Sequence, residues 1–232
     1  GTYNLLEAMR TNRLKKLIFS STCAVYGESR YLPVDEQHPL QPMNPYGESK
    51  FLSEKMIRWY GDIHGISFAI LRYFNVCGAS SDGRIGDSKR PSELLMQNAV
   101  RGAMNIEPFY LTCPEVNTPD GTPIRDYIDV EDLAAAHAAA LQYLEAGGAS
   151  DIFNLGNGTG YSVKQIVAKV EEVFGVSIPL IQKEIRKGEY SSIYAQPEKA
   201  NTTLHWKTEK DLAASIKSLQ KWYAGHPQGF SR

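Results

Sequence analysis

Apolar residues follow two patterns along the chain, and the two patterns alternate. Short apolar runs bounded by turn residues are typical of strands, whereas longer segments with apolar residues three and four positions apart predict helices. The predicted strands are residues 16–21, 67–73, 109–112, 151–155 and one near 178–182. The predicted helices are residues 1–10, 45–64, 92–102, 130–145, 163–174 and 210–224. Such alternation predicts βαβ units and an α/β fold with a parallel sheet.

Composition narrows the class of protein and its partners. The 232 residues are 42% hydrophobic and 22% charged with a net charge of −1, so neither nucleic acid nor a membrane surface is favoured electrostatically. No uninterrupted apolar stretch is long enough to span a bilayer. Cys23, Cys77 and Cys113 lack Cys-x-x-Cys spacing, which argues against a disulfide framework and a zinc site. We therefore expect a cytoplasmic protein whose partners are small molecules.

A tyrosine and a lysine one helical turn apart, Tyr46 and Lys50, are the first candidates for chemistry. Residues four apart share one helix face, so the Lys50 ammonium is expected to lower the pKa of the Tyr46 phenol, which is about 10 when unperturbed. A phenol tuned in this way transfers protons near neutral pH. Taken alone, such a pair more often only packs the ring along the lysine stem.

The surroundings of this pair favour the functional interpretation. Asn44 and Pro45 supply an N-cap and a first-turn proline, which place Tyr46 at the start of a helix. Thr22 follows a predicted strand, and ligands gather at the carboxyl ends of strands in open α/β sheets.

A second candidate is Arg125, which follows a turn-rich loop and precedes Asp126. A guanidinium at such a junction suits bidentate binding of phosphate oxygens, and a structural pair with Asp126 is an equal alternative on spacing alone. His137, in the alanine-rich helix, is expected to be a packed or surface histidine rather than a ligand.

Seven motifs in a fixed order carry a family resemblance. They are SSTxxVYG at 20–27, NPYGESK at 44–50, LRYFN at 71–75, GAxxxGxxG at 78–86, DGTxxRDYI at 120–128, NLGxG at 154–158 and HPxG at 226–229. In them the chain resembles the NAD-dependent epimerase/dehydratase family of the extended short-chain dehydrogenases/reductases. Within that family it is most similar to the members that invert C4 of a UDP-hexose.

The resemblance implies a Rossmann-like parallel sheet lacking its first strands, with a smaller C-terminal α/β substrate-binding domain. Residues 1–75 would be the C-terminal part of the NAD-binding domain. Residues 76–232 would mainly bind the nucleotide sugar, with segments of about 120–157 returning to the Rossmann sheet. The glycine-rich phosphate-binding turn and acidic ribose-binding residue expected in the first strands are not among the 232 residues. We therefore expect this chain alone to bind NAD poorly and to turn over little.

The resemblance also implies roles for individual residues. UDP-glucose and UDP-galactose would interconvert through a 4-keto sugar, with NAD as cofactor and no metal. The catalytic residues would be Thr22, Tyr46 and Lys50. Cofactor contacts would come from Ser20, Ser21, Tyr46, Lys50, Tyr73 and Phe74. Contacts with the UDP-sugar would come from Thr22, Asn75, Leu94, Arg125, Arg186 and Glu189. A homodimer would form through two helices of each subunit, with Phe51, Met56 and Trp59 as candidate contacts.

Departures from the family pattern keep several alternatives open. Nucleotide-sugar 4,6-dehydratases carry an Asp-Glu pair where Cys23 and Ala24 stand, which disfavours dehydration here. Glu93 replaces the Asn or His of most relatives and puts a carboxylate near the expected diphosphate site. The position that gates sugar size aligns with Ile193, or with Ser192 if the register slips, so N-acetylated sugars are not excluded. Another nucleotide-sugar epimerase and a catalytically inert nucleotide-sugar-binding fragment are the remaining alternatives.

Overall fold

A computed structural model describes residues 1–184 and 190–230 of the chain. The described chain forms two compact units of similar length. The first unit contains residues 1–74, 134–158 and 193–207. The second contains residues 75–133, 159–184, 190–192 and 208–230. The α/β fold class expected from the sequence is confirmed.

Helices and strands alternate along most of the chain. The helices are α1 (Thr2–Thr11), α2 (Pro45–His64), α3 (Leu95–Ala103), α4 (Val130–Glu145), α5 (Val163–Phe174), α6 (Glu198–Thr203) and α7 (Leu212–Gly225). The strands are β1 (Lys16–Thr22), β2 (Ser67–Tyr73), β3 (Asn75–Cys77), β4 (Tyr110–Leu111), β5 (Ile124–Asp129), β6 (Asp151–Leu155), β7 (Gly160–Ser162), β8 (Ile181–Gln182) and β9 (Ser192–Ile193). Helix α3 begins later than predicted because the backbone of Leu94 is extended and forms its N-cap.

The first unit is built on a parallel sheet with strand order β1-β2-β6. The register places Thr22 beside Tyr73, and Tyr73 beside Leu155, so the carboxyl ends of the three strands form one row. Buried apolar residues of α1, α2 and the sheet form the core of this unit, namely Leu6, Ile57, Phe68, Ile70 and Ile152. Strand ends arranged in this way are where ligands bind in open parallel sheets.

The second unit has a mixed sheet, in which β5 pairs parallel with β3 and antiparallel with β7. Helices α3, α5 and α7 contribute most of its core, including Met96, Val170 and Trp222. Strand β5 belongs to this sheet, so within the range 120–157 only residues from 134 onward lie in the first unit. Residues 193–207, assigned from the sequence to the sugar-binding part, also lie in the first unit.

Candidate active site

The end of β1 holds the Thr22 side chain in a fixed position. Thr22 is the last residue of the strand, and Cys23–Val25 form a 3₁₀ turn directly after it. The backbone N–H of Ala24 donates a hydrogen bond to Thr22 Oγ1 at 3.1 Å. Because such a bond caps the turn, the threonine hydroxyl is held at the carboxyl edge of the sheet.

Helix α2 begins as the sequence predicts and brings Tyr46 to this edge. The Asn44 side chain accepts a hydrogen bond from the Gly47 N–H at 2.8 Å, and Pro45 occupies the first helical position. Tyr46 is 53% exposed, yet its hydroxyl lies near enough to Thr22 for that side chain to lower the pKa of the phenol. Two residues that lie 24 positions apart in the sequence are therefore brought close together at the carboxyl edge of the sheet.

The effect of Lys50 on Tyr46 differs from the expectation. Burial of its hydroxyl raises the pKa of Tyr46, and the hydrogen bond with Thr22 opposes that rise without cancelling it. Lys50 Nζ lies 5.9 Å from the centre of the Tyr46 ring and donates to the carbonyl of Ser20 at 2.8 Å. The expected lowering of the Tyr46 pKa by Lys50 is therefore wrong for this arrangement. Burial also lowers the pKa of Lys50.

The two serines before Thr22 point to opposite sides of β1, as successive residues of a strand do. The hydroxyl of Ser20 lies 2.8 Å from Nε2 of His137. The hydroxyl of Ser21 is fully buried and donates to Glu54 Oε1 at 2.6 Å. The cofactor contact expected from Ser21 therefore does not involve its side chain, because that side chain faces the interior.

The end of β2 places Tyr73 next to Thr22 in the sheet register. The Tyr73 ring lies 6.3 Å from the His137 ring, centre to centre. Phe74 follows it and is only 5% exposed. His137 thus contacts the site through both Ser20 and Tyr73, which sequence reasoning did not foresee because these contacts join α4 to two strands.

A buried ion pair lies behind the candidate site. Arg72, fully buried in β2, donates from Nη2 to Glu54 Oε2 at 2.6 Å and from Nε to Oε1 at 3.0 Å. Its Nη1 donates to the Tyr26 hydroxyl at 3.1 Å, and that hydroxyl donates to Asn154 at 2.6 Å. Ser21 completes the network through Glu54. A charge buried in this way requires such partners, so α2, β1, β2 and β6 are held together by polar contacts.

Three of the substrate-binding residues expected from the resemblance, Asn75, Leu94 and Arg125, lie in the second unit, whereas Thr22 lies in the first. Asn75 is half-buried at the start of β3, and Leu94 is 39% exposed before α3. Arg125 is 7% exposed, and its Nη1 donates to the carbonyl of Ile124 at 2.9 Å. Arg186 and Glu189 lie outside the described residues.

Three further positions, Glu93, Ser192 and Ile193, are those at which the sequence leaves the diphosphate site or the size of the accepted sugar open. The Glu93 carboxylate accepts a hydrogen bond from Lys89 Nζ at 2.6 Å, so its charge is balanced locally in the second unit. Ile193 is fully buried, whereas Ser192 is half-buried.

Residues 1–184 and 190–230 contain no cluster of three or more His, Cys, Asp or Glu side chains suited to a metal ion. Across the same residues, no helix combines the length and the apolar character needed to cross a membrane. All three cysteines are free thiols.

Comparison with known proteins identifies close relatives. The model of the NAD dependent epimerase/dehydratase family matches residues 1–156. A UDP-glucose 4-epimerase of Lactobacillus helveticus is 40% identical over 232 residues, covering 99% of this chain and 70% of its own length. A mouse UDP-glucose 4-epimerase is 40% identical over 237 residues, covering 99% of this chain and 67% of its own length.

Solved structures show the same similarity in three dimensions. The UDP-glucose 4-epimerase from Bifidobacterium longum, solved in complex with NAD⁺ and UDP, superposes with a TM-score of 0.91 at 34% identity. The match covers 99% of this chain and 69% of that structure. The chain thus spans about two thirds or slightly more of the relatives that it matches.

Proposed function

The chain belongs to the NAD-dependent epimerase/dehydratase family, and from this membership we propose that it interconverts UDP-glucose and UDP-galactose by inverting C4 of the hexose. The placement of the Tyr46 phenol near the Thr22 hydroxyl, with Lys50 one helical turn further along α2, carries this proposal. It sets a proton-transferring group beside a fixed hydroxyl at the carboxyl end of a parallel sheet. NAD is the cofactor, as in the relatives solved with it bound.

The residues present fit the nicotinamide half of NAD. Lys50 Nζ uses one hydrogen on the Ser20 carbonyl, and an ammonium has three, so it suits the hydroxyls of the nicotinamide ribose. Ser20, Tyr73 and Phe74, and the backbone of Ser21, are the other proposed contacts. When bound, NAD accepts hydride from C4 of the sugar and returns it to the opposite face.

Tyr46 holds and returns the proton of the sugar 4-hydroxyl in the proposed reaction. Thr22 hydrogen-bonds the same oxygen and keeps it within reach of the phenol. Because burial raises the pKa of Tyr46, the phenol is protonated at neutral pH in this arrangement. Lys50 does not lower this pKa in the arrangement described, so we assign its charge to stabilising the phenolate in the complex with NAD and the sugar.

Binding of the UDP-sugar is assigned to Asn75, Leu94 and Arg125, together with Arg186 and Glu189 of the sequence. Two guanidinium groups on one diphosphate match both its charge and its planar bidentate geometry. The substrate class that follows is a nucleoside-diphosphate hexose, and UDP is bound in the structure of the related UDP-glucose 4-epimerase from Bifidobacterium longum.

A dehydratase reaction is the weaker alternative. Elimination of water requires an acid and a base beyond the Tyr46 phenol. Cys23 and Ala24, buried in the 3₁₀ turn after Thr22, supply no carboxylate for that purpose.

The proposed assembly is a homodimer in the cytoplasm. Helices α1 and α2 of the first unit expose several large apolar side chains, among them Tyr3 at 56%, Trp59 at 63% and Ile63 at 72%. Phe51 and Met56, also proposed for this face, are half-buried. A helical face of this kind suits contact with a second copy. Free thiols at all three cysteines are consistent with a reducing compartment, and from the proposed activity we infer a role in galactose metabolism.

The test of this function is a coupled assay for conversion of UDP-galactose to UDP-glucose with added NAD. With NAD in excess we expect the unmodified chain to turn over substrate slowly, and Tyr46→Phe to lose at least about 100-fold in kcat, the range of general acid-base catalysis. Tyr31→Phe is the matched control, because it removes an exposed hydroxyl that bonds only a neighbouring surface carboxylate, Asp35. Equal activity of Tyr46→Phe and the unmodified chain, or no turnover by the unmodified chain, would contradict the proposal.

A further inference from the structure

A buried aromatic ring lies against the guanidinium of Arg125. The Arg125 Cζ is 4.5 Å from the centre of the Tyr190 ring, and both residues belong to the second unit. Arg125 is 7% exposed and Tyr190 is 9% exposed. Contacts between a cation and an aromatic face are strongest when both groups are shielded from water, as they are here.

The backbone around Tyr190 fixes the position of its ring. The N–H of Ile124 donates to the carbonyl of Ser191 at 2.9 Å, which ties the residue after Tyr190 to β5. The neighbouring residue in β5 is Arg125. The ring and the guanidinium are therefore carried by two backbone segments that are hydrogen-bonded to each other.

Contacts with two backbone carbonyls at one edge of the Arg125 guanidinium also orient this group. Arg125 Nη1 donates to the carbonyl of Ile124 at 2.9 Å and lies 3.5 Å from the carbonyl of Ser191. The Tyr190 ring fixes the plane of the group, and the two carbonyls fix its rotation within that plane.

We propose that Tyr190 is a positioning residue for substrate binding, whose ring holds Arg125 in the orientation that binds the diphosphate of a nucleotide sugar. This inference rests on the proposed function, because it takes the diphosphate as the ligand of Arg125. Tyr190 belongs to none of the seven sequence motifs, and it follows Arg186, the second proposed diphosphate ligand, by four residues.

Binding of UDP, measured by isothermal titration calorimetry, tests the inference without requiring turnover. We expect Tyr190→Phe to bind UDP within about twofold of the unmodified chain, because the aromatic face remains. Tyr190→Leu removes that face at similar bulk, and we expect it to bind UDP about tenfold more weakly, equivalent to about 1.4 kcal/mol. Tyr190→Met serves as a second aliphatic variant, and thermal unfolding checks that each variant is folded.

A double-mutant cycle separates positioning from a general loss of structure. Arg125→Lys keeps the charge and loses the planar fork, so it weakens UDP binding. If Tyr190 acts through Arg125, adding Tyr190→Leu to Arg125→Lys weakens binding no further, because the oriented group is already gone. We expect Tyr190→Phe to retain UDP binding. We expect the losses of UDP affinity caused by Tyr190→Leu and Arg125→Lys to be non-additive.

The failures of this inference and of the proposed function are distinguishable. UDP binding of Tyr190→Leu and Tyr190→Met at the strength of the unmodified chain would overturn the role of Tyr190 and leave the proposed function standing. Strictly additive losses in the cycle would do the same. Undiminished binding by Arg125→Lys, or no UDP binding by the unmodified chain, would contradict the proposed function itself and the inference with it.

Discussion

Gly47 in the first turn of α2 lies against the carbonyl oxygen of Ala24. A Cβ built at Gly47 would stand 2.5 Å from that oxygen, closer than Cβ atoms approach backbone atoms in proteins. Ala24 belongs to the 3₁₀ turn that follows Thr22, and Gly47 directly follows Tyr46. The absence of a side chain at position 47 therefore allows the two hydroxyls of the candidate site to meet.

Replacement of Gly47 by alanine is expected to push the first turn of α2 away from the end of β1. A displacement of about 1 Å between reacting groups lowers kcat on the order of 100-fold, with little effect on UDP affinity. The measurements are kcat in the epimerisation assay and UDP affinity by calorimetry. Gly225→Ala is the control, since a Cβ at Gly225 meets nothing within 4 Å. An unchanged kcat for Gly47→Ala would show that the close approach is irrelevant to catalysis.

Replacement of Thr22 by valine is expected to raise the pKa of Tyr46 further. Burial already raises this pKa, and the hydrogen bond with Thr22 is the contribution that lowers it. Valine preserves the shape of threonine and removes the hydroxyl, so only contributions that raise the pKa remain, namely burial first and then the electrostatic effects of Tyr73 and Cys23. The titration of the Tyr46 ring can be followed by ¹³C NMR, with Tyr46→Phe used to assign its signal. A pKa that falls or does not change in Thr22→Val would contradict this account.

Replacement of Glu54 by glutamine is expected to destabilise the chain by about 3–5 kcal/mol, because it leaves the Arg72 charge buried without its counter-ion. The side chains of both residues are only 1% exposed. Denaturant unfolding gives the free energy of unfolding of each protein. Glu172→Gln, which breaks an exposed ion pair with Lys169, is the control and should change stability by less than about 1 kcal/mol. Equal losses of unfolding free energy in Glu54→Gln and Glu172→Gln would show that burial does not determine how much an ion pair contributes to stability.

The contact between α1 and α2 is expected to weaken in acid. Hydrogen bonds from Arg10 and then Tyr60 lower the pKa of Glu7 to about 2, against an ordinary value of 4.5. A carboxyl whose pKa is lower in the folded chain than in the unfolded chain stabilises the folded chain at pH values above its unfolded pKa. This stabilisation is lost as pH falls from about 4.5 to about 2.

Thermal unfolding between pH 5 and pH 2 measures this loss. In Glu7→Gln the melting temperature should depend less steeply on pH. Arg10→Gln removes the largest cause of the lowered pKa and should flatten the same part of the curve. A slope identical to that of the unmodified chain in both variants would rule out Glu7 as a contributor.

The long elements of the fold could be predicted from the sequence, and the short strands could not. Helix α2 has an N-cap at Asn44, a proline at Pro45 and a left-handed glycine at Gly65, so both of its ends are encoded locally. Strands β3 and β7 have three residues each, and their formation depends on pairing with β5 rather than on their own pattern. Local sequence does not contain that information.

The features of the candidate site also fall into two groups, those that could be predicted from the sequence and those that could not. Tyr46 and Lys50 could be found because their spacing is local and matches a family motif. The direction of the Tyr46 pKa shift and the inward-facing hydroxyl of Ser21 could not be found, because each depends on burial and on partners from other elements. The pairing of Glu54 with Arg72 likewise joins a helix to a strand and leaves no signature in either segment.

The Glu54–Arg72 pair has a consequence for how the sheet is selected during folding. A slip of β2 by one residue would turn Arg72 to the opposite face of the sheet, and a slip by two would carry it along the strand, away from Glu54. Either mispaired sheet would bury a guanidinium without its counter-ion. Incorrect pairings of β1 and β2 therefore have a higher free energy than the native pairing. Molecules that fold completely share the register in which Thr22 lies beside Tyr73.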